Sequence, residues 1–201
     1  MSSRRSARID LGHPATWEDL DRLPDDVIGE IVNGELITAP RPNLPHARAT
    51  ADLGGLLWGP FRVGNGGPGG WIFLDEPRLR FDAEIRVPDL AGWRKERWMD
   101  QPKRGPLSLV PDWICEVLSP GTESEDRTTK RDLYARHKVR HLWLLDPEER
   151  TLEVYRLEER GWLLTSSHAN QDRARAEPFD AVEIDLSLLW DPRSPEEDLE
   201  S

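Results

Sequence analysis

The order of elements in this 201-residue chain predicts an α+β or α/β fold, with a mixed central β-sheet flanked by helices and an N-terminal β-hairpin. Three observations carry that expectation. Asn33-Gly34 lies between two apolar runs within residues 27–37, the strongest short hairpin signal a sequence can give. Val110-Pro-Asp-Trp-Ile-Cys-Glu-Val-Leu-Ser119 reads as a strand buried on both faces, opened by Pro111 and closed by Ser119-Pro120-Gly121. After it come a helical stretch, about 128–138, and two further strands, 139–145 and 151–157, joined at Asp146-Pro147.

The other elements follow in order. Residues 1–13 read as a disordered basic tail, residues 14–190 as one domain, and residues 191–201 as an acidic tail. Thr16-Trp-Glu-Asp19 is a capping box that opens a short helix ending near Pro24. Pro40, Pro42 and Pro45 make a stiff connection. From His46 to about Pro60, Ala49, Leu53, Leu56 and Leu57 repeat at helical spacing, weakened by Gly54-Gly55. Gly64–Gly70 is a flexible loop with no Lys-Ser/Thr after it, so it is not a phosphate loop. Strands are expected at 71–74, 78–81 and 86–93, the last containing Pro88-Asp89, then a charged loop at 94–106. Trp162–Ser166 adds another strand, and residues 177–186 a final one before a helical turn ending at Trp190.

Composition narrows the function. Charged residues make up 32% and the net charge is −11, which opposes general nucleic-acid affinity. The single cysteine, Cys115, lies inside the buried strand, so there is no internal disulfide and a reducing compartment is expected. No apolar run approaches about 18 residues and residues 1–6 lack the apolar stretch of a signal peptide. The expectation is a cytoplasmic protein that does not enter a membrane.

The chemistry concentrates in strands. Glu116 sits in the middle of the buried strand, and a carboxylate there is costly to bury without a positive partner. Asp89 occupies a similar context. If the two strands are neighbours, both acids can serve a hard divalent ion that takes oxygen ligands and keeps its waters. The alternative pairs each acid with an arginine, such as Arg86 or Arg140. On the following helix Lys130, Leu133, Tyr134 and His137 share one face, so Lys130 should point inward with Leu133. There it could orient or deprotonate an attacking water or stabilise developing charge. Alternatively it pairs with Asp126 on a solvated face. Asp112 shares the strand face of Glu116 but is read as an exposed end residue.

Arg86-Val-Pro-Asp89, Pro111-Asp-Trp-Ile-Cys-Glu-Val-Leu-Ser-Pro120, Asp126-Arg-Thr-Thr-Lys-Arg-Asp-Leu-Tyr134 and His141-Leu-Trp-Leu-Leu-Asp-Pro147 together resemble one family. It is the bacterial family of putative restriction endonucleases within the PD-(D/E)XK nuclease superfamily. Glu30-Ile-Val-Asn-Gly-Glu35, His46 and Pro178–Leu186 also look like it, so the resemblance spans roughly residues 16–190. It implies a restriction-endonuclease-like fold and Mg²⁺-dependent (or Mn²⁺-dependent) hydrolysis of DNA. Asp89 and Glu116 would bind the metal, joined by the backbone carbonyl of Val117. The superfamily's lysine two residues after the acid is replaced by Leu118, and its role would pass to Lys130. Glu30 resembles a further acid of the site. His46 could line the site or pack its helix.

Charge is unevenly spread: residues 127–141 hold six Lys/Arg against Asp132, and residues 94–104 five against two acids. Residues 177–201 hold nine acids and Arg193. A basic surface beside the site would serve DNA, with binding steeply salt-dependent. Cutting both strands suits a homodimer. The competing expectation is a non-catalytic, dimeric binding or regulatory protein on the nuclease fold, with exposed Trp93 and Trp98 at an interface.

Overall fold

The computed structural model describes residues 7–24, 26–121 and 123–190. Two sheets organise them. One has five strands in the order β1-β3-β2-β6-β5: β1 (Ala7–Ile9), β2 (Val27–Val32), β3 (Glu35–Pro40), β5 (Leu79–Phe81) and β6 (Glu84–Arg86). The other has six in the order β11-β10-β9-β8-β7-β4: β4 (Trp71–Asp75), β7 (Leu90–Arg94), β8 (Trp113–Val117), β9 (His141–Asp146), β10 (Thr151–Glu158) and β11 (Gly161–Ala169). It is mixed, because β8 and β9 run parallel while its other neighbours run antiparallel. A short pair, β12 (Arg173–Ala174) with β13 (Ile184–Asp185), stands apart.

Local chemistry places these elements. The capping box forms at α1 (Trp17–Asp21), with the Asp19 carboxylate accepting from the Thr16 N–H at 2.9 Å. The β2–β3 hairpin turns on Asn33 and Gly34, both at positive φ, as a two-residue type I′ turn requires. Asn43 caps α2 (Leu44–Leu57) by accepting from the His46 N–H at 3.0 Å, which fixes His46 in the first turn. The helix continues as a π-helical segment, Trp58–Val63, and stops at Gly64 with φ 86°. Between β8 and β9, α3 (Glu123–Glu125) runs through a π-helical stretch, Asp126–Lys130, into α4 (Arg131–Arg136). This helix starts five residues earlier than its apolar spacing indicates, because its first turns carry polar side chains.

Period-two alternation divides the core. Trp113, Cys115 and Val117 face α2 with Leu53 and Leu57, around an aromatic cluster centred on Phe179. Ile114 and Leu118 face α4 with Leu133 and Tyr134. Glu116 lies in that second row, 1% exposed.

Several expectations need correction. Residues 7–9 form β1 against β3, so the tail is not disordered from residue 7 onward; backbone pairing orders it. Residues 1–6 and the acidic tail 191–201 lie outside the described residues. The expected strand 86–93 is two strands in different sheets, β6 and β7. Pro88 cannot donate to a ladder, and Val87-Pro88-Asp89 carries the chain across. Over 177–186 only Ile184–Asp185 is a strand, because turns around Phe179 replace the ladder. Trp93 is wholly buried, its Nε1–H donating to the Leu109 carbonyl, and Trp98 packs edge-on against it at 5.0 Å. Neither forms an exposed aromatic patch. Asp112 is also buried, accepting from the Arg94 N–H at 2.9 Å and pairing with Arg97 at 2.6 Å. Among the described residues no helix is long and apolar enough to cross a membrane.

Candidate active site

The ends of β8, the β6–β7 crossover, β2, α2 and the π-helical stretch meet at one cleft of about 980 Å³. Its lining includes Glu30, His46, Asp89, Glu116, Asp126 and Lys130. Asp89 follows the crossover proline, where β7 begins beside β8. One of its oxygens accepts from the Val117 N–H at 2.7 Å, and the other lies 3.2 Å from His46 Nε2. The carboxylate is thus held between β8 and the first turn of α2.

Glu116 is held from the opposite side. Lys130 Nζ donates to its Oε2 at 3.0 Å and Tyr134 Oη to its Oε1 at 2.5 Å. Lys130 also lies 3.0 Å from Asp126 and 3.9 Å from Glu30. The inward lysine and the Asp126 pair are therefore both present, and the pair is buried rather than solvated. The π-helical turn presents Asp126 and Lys130 together, and such turns are frequent at functional sites. Glu30 accepts from the Val87 N–H at 2.8 Å and from Arg86 Nη1 at 3.1 Å. Arg86, fully buried, also pairs with Glu84 and Glu125. It holds Glu30 rather than Asp89 or Glu116, so an arginine partner for those two acids is not what forms.

Electrostatics follow from this crowding. Burial pushes the Glu116 carboxyl well above the usual range; Lys130 opposes, while Asp126 and Asp89 push further upward. Burial works against the Lys130 ammonium, but Asp126, Glu116 and Glu30 outweigh it and raise its pKa. His46 is raised too, since Asp89 and Asp126 overcome its burial. The Tyr134 hydroxyl is driven up by burial and by Glu116, so it remains a donor. The cluster is short of positive charge, and a cation would relieve Glu116 in the same way as a proton.

That shortage bears on the metal. Among the described residues no three His, Cys, Asp or Glu side chains are gathered to hold an ion alone. An ion such as Mg²⁺ needs only one or two carboxylates when waters and a phosphate complete its shell. Asp89 and Glu116 supply two such carboxylates in one cleft. Among the described residues the cleft is acidic: Asp26, Glu125 and Glu148 join the acids already named, against Lys130, Arg41 and His46. Among the described residues, the basic stretches contribute only Lys130 to its lining. Arg127 is committed to Glu123 and Glu153, and Arg131 lies 4.6 Å over Tyr155.

The sequence brought Asp89, Glu116, Lys130 and Glu30 forward, and all four line the cleft. Of the two readings left open for His46, the structure places it in the cleft lining; Tyr134 had been given no role, although it lies one turn from Lys130 on the inward face. Arg86 was considered as a partner for Asp89 or Glu116, but its pairing with Glu30 and Glu125 had no local signal because it joins distant segments.

A family model described as Uma2, putative restriction endonuclease, matches residues 17–188. Among solved structures, a putative nuclease belonging to DUF820 from Anabaena variabilis ATCC 29413 is 20% identical with a TM-score of 0.66. That match covers 88% of this chain and 97% of the other. At that identity the likeness is one of fold. No curated protein matches the sequence.

Proposed function

The chain belongs to the Uma2 putative restriction endonuclease family, and from that membership we propose that it is a metal-dependent nuclease hydrolysing phosphodiester bonds in DNA. The observation that carries the proposal is the convergence of Asp89 and Glu116 in one cleft, with Lys130 hydrogen-bonded to Glu116. In this reading Asp89, Glu116 and the Val117 carbonyl would hold Mg²⁺ or Mn²⁺. When bound, the ion supplies a Lewis acid for the phosphoryl and leaving oxygens.

The chain's own residues then have defined tasks. Val117 N–H and His46 orient Asp89, and Tyr134 and Lys130 orient Glu116. Lys130, with its pKa raised, acts as an ammonium: it positions the attacking water and stabilises phosphate charge rather than taking a proton. Glu30, braced by Arg86, adds a third carboxylate 3.9 Å from Lys130 and so helps to keep it charged. Cleavage of both strands of a duplex would call on a symmetric homodimer.

The test combines calorimetric titration of Mg²⁺ and Mn²⁺ with cutting of supercoiled plasmid and of a single-stranded oligodeoxynucleotide by wild type, Asp89→Ala, Glu116→Ala and Lys130→Ala. Metal binding lost in Glu116→Ala, with cutting lost in all three variants, is the expected result. Cutting that survives Asp89→Ala and Lys130→Ala sinks the proposal. A second reading, a dimeric binding protein without catalysis, draws on one observation: each oxygen of Asp89 and Glu116 already has a protein partner. Absence of metal binding in the wild type would favour it.

A further inference from the structure

The hairpin sheet has two unlike faces. Ile31 and Leu36 are buried against Leu20 and Ile85. On the other face the register sets Ile28 opposite Ala39 and Glu30 opposite Ile37, so these four side chains form one contiguous patch. Ile28, Ile37 and Ala39 are half-buried and line the cleft. They form an aliphatic wall that continues directly into the acid cluster through Glu30. One strand further out, Arg8 pairs in register with Ile37. A row across three strands therefore runs from an exposed cation, over an apolar surface, to the acids, two strand spacings or about 10 Å in all.

This layout is unsuited to a duplex. Duplex affinity comes mainly from Lys and Arg neutralising several phosphates in succession. Among the described residues the lining acids are Asp26, Glu30, Asp89, Glu116, Glu125, Asp126 and Glu148, against Arg41, Lys130 and the His46 imidazole, its pKa raised beside Asp89. Arg41 is in addition paired with Glu76. The acids also lie deep: the cleft has a volume of about 980 Å³, and Glu116 and Lys130 at its floor are 1% and 8% exposed. A duplex keeps its bases stacked inside and cannot offer a base face to Ile37. An unpaired strand can place its scissile phosphate at the floor and lay the adjoining base on the aliphatic wall, burying apolar base surface that a duplex keeps stacked inside. Arg8, 64% exposed and paired at 2.7 Å with Glu35, can exchange that surface ion pair, worth little in water, for the neighbouring phosphate.

We propose that this cleft takes single-stranded DNA, with the base beside the scissile phosphate packed on Ile28, Ile37 and Ala39. The proposal rests on the nuclease reading and names its substrate class. One copy of the chain suffices for such a cut.

The test uses a fluorescein-labelled, non-self-complementary oligodeoxynucleotide of about 20 residues, alone and annealed to its complement. Binding is read by anisotropy in Mg²⁺ buffer and cleavage by gel, for wild type and an Ile28→Ala/Ile37→Ala variant whose fold is checked by thermal melting. The single strand should bind about tenfold tighter than the duplex, and the variant should lose about fivefold on the single strand alone. Its salt slope should be shallow, near −1, as one or two phosphate contacts give. Equal or tighter duplex binding overturns the proposal, as does a variant that binds the single strand like wild type. Asp89-dependent cutting of duplex with the single strand untouched overturns it and leaves the nuclease reading standing. If neither DNA form is bound or cut, both fall together.

Discussion

Replacing Lys130 with methionine keeps most of the buried stem and removes the ammonium. The native Nζ lies 3.0 Å from both Glu116 and Asp126 and 3.9 Å from Glu30, all at the floor of the cleft. Removing one member of a buried ion pair leaves a carboxylate desolvated and uncompensated, which costs about 3–5 kcal/mol. In a chain of this size that is a fall of roughly 10 °C in Tm. The penalty depends on pH in a defined direction. Glu116 already titrates above its ordinary 4.5, and losing the ammonium raises it further. A carboxyl raised in the folded state contributes stability that is fully present below its unfolded pKa and is lost as pH rises through the folded one. The variant's deficit should therefore be largest near neutrality and shrink as pH falls toward about 5. Thermal and urea unfolding of both proteins at about pH 7.5 and 5.5 measures it. Adding Glu116→Gln to the variant should recover part of the loss. A deficit below about 1 kcal/mol near neutrality, or one equal at both pH values, would refute the reasoning, since lost packing alone carries no pH dependence.

Two further outcomes follow from the same geometry. His46→Ala removes the imidazole 3.2 Å from Asp89, so Mg²⁺ affinity by calorimetry should fall about 10-fold or more, with partial rescue by His46→Gln; unchanged affinity would remove His46 from the site. Gly67→Ala would set a Cβ 2.5 Å from Pro60 Cβ and 2.8 Å from its carbonyl oxygen, and a backbone neighbour cannot step aside. Urea unfolding should show a loss of about 1–3 kcal/mol, and a neutral result would mean the 64–70 loop shifts freely.

Much of the fold was legible because its signals are local. The capping box at Thr16, the Asn33-Gly34 turn and the apolar run around Ile114 each act through neighbours in sequence, and each forms where expected. Asp89, Glu116 and Lys130 were legible for a related reason: a charge among apolar residues is costly, and the spacing of Lys130 to Leu133 turned the lysine inward. The misreadings share one cause. Asp112 was judged exposed from its place at a strand end, yet Arg97 from another segment covers it. Trp93 was judged accessible beside a charged loop, yet Trp98 and the Leu109 carbonyl close over it. Pro88 was read as sitting inside one strand, while the chain changes sheets there.

By itself the sequence determined the hairpin, the buried strand, the inward lysine and the family, because periodicity, turn chemistry and the cost of burying charge are carried by short segments. The tertiary structure alone decided that Arg86 braces Glu30 and Glu125, that His46 and Val117 hold Asp89, and that Tyr134 shares Glu116 with Lys130. It also decided that the cleft is acidic with an aliphatic wall. Each of these joins residues from segments far apart in the chain, and only the packing of two sheets and their helices brings such groups within hydrogen-bonding distance.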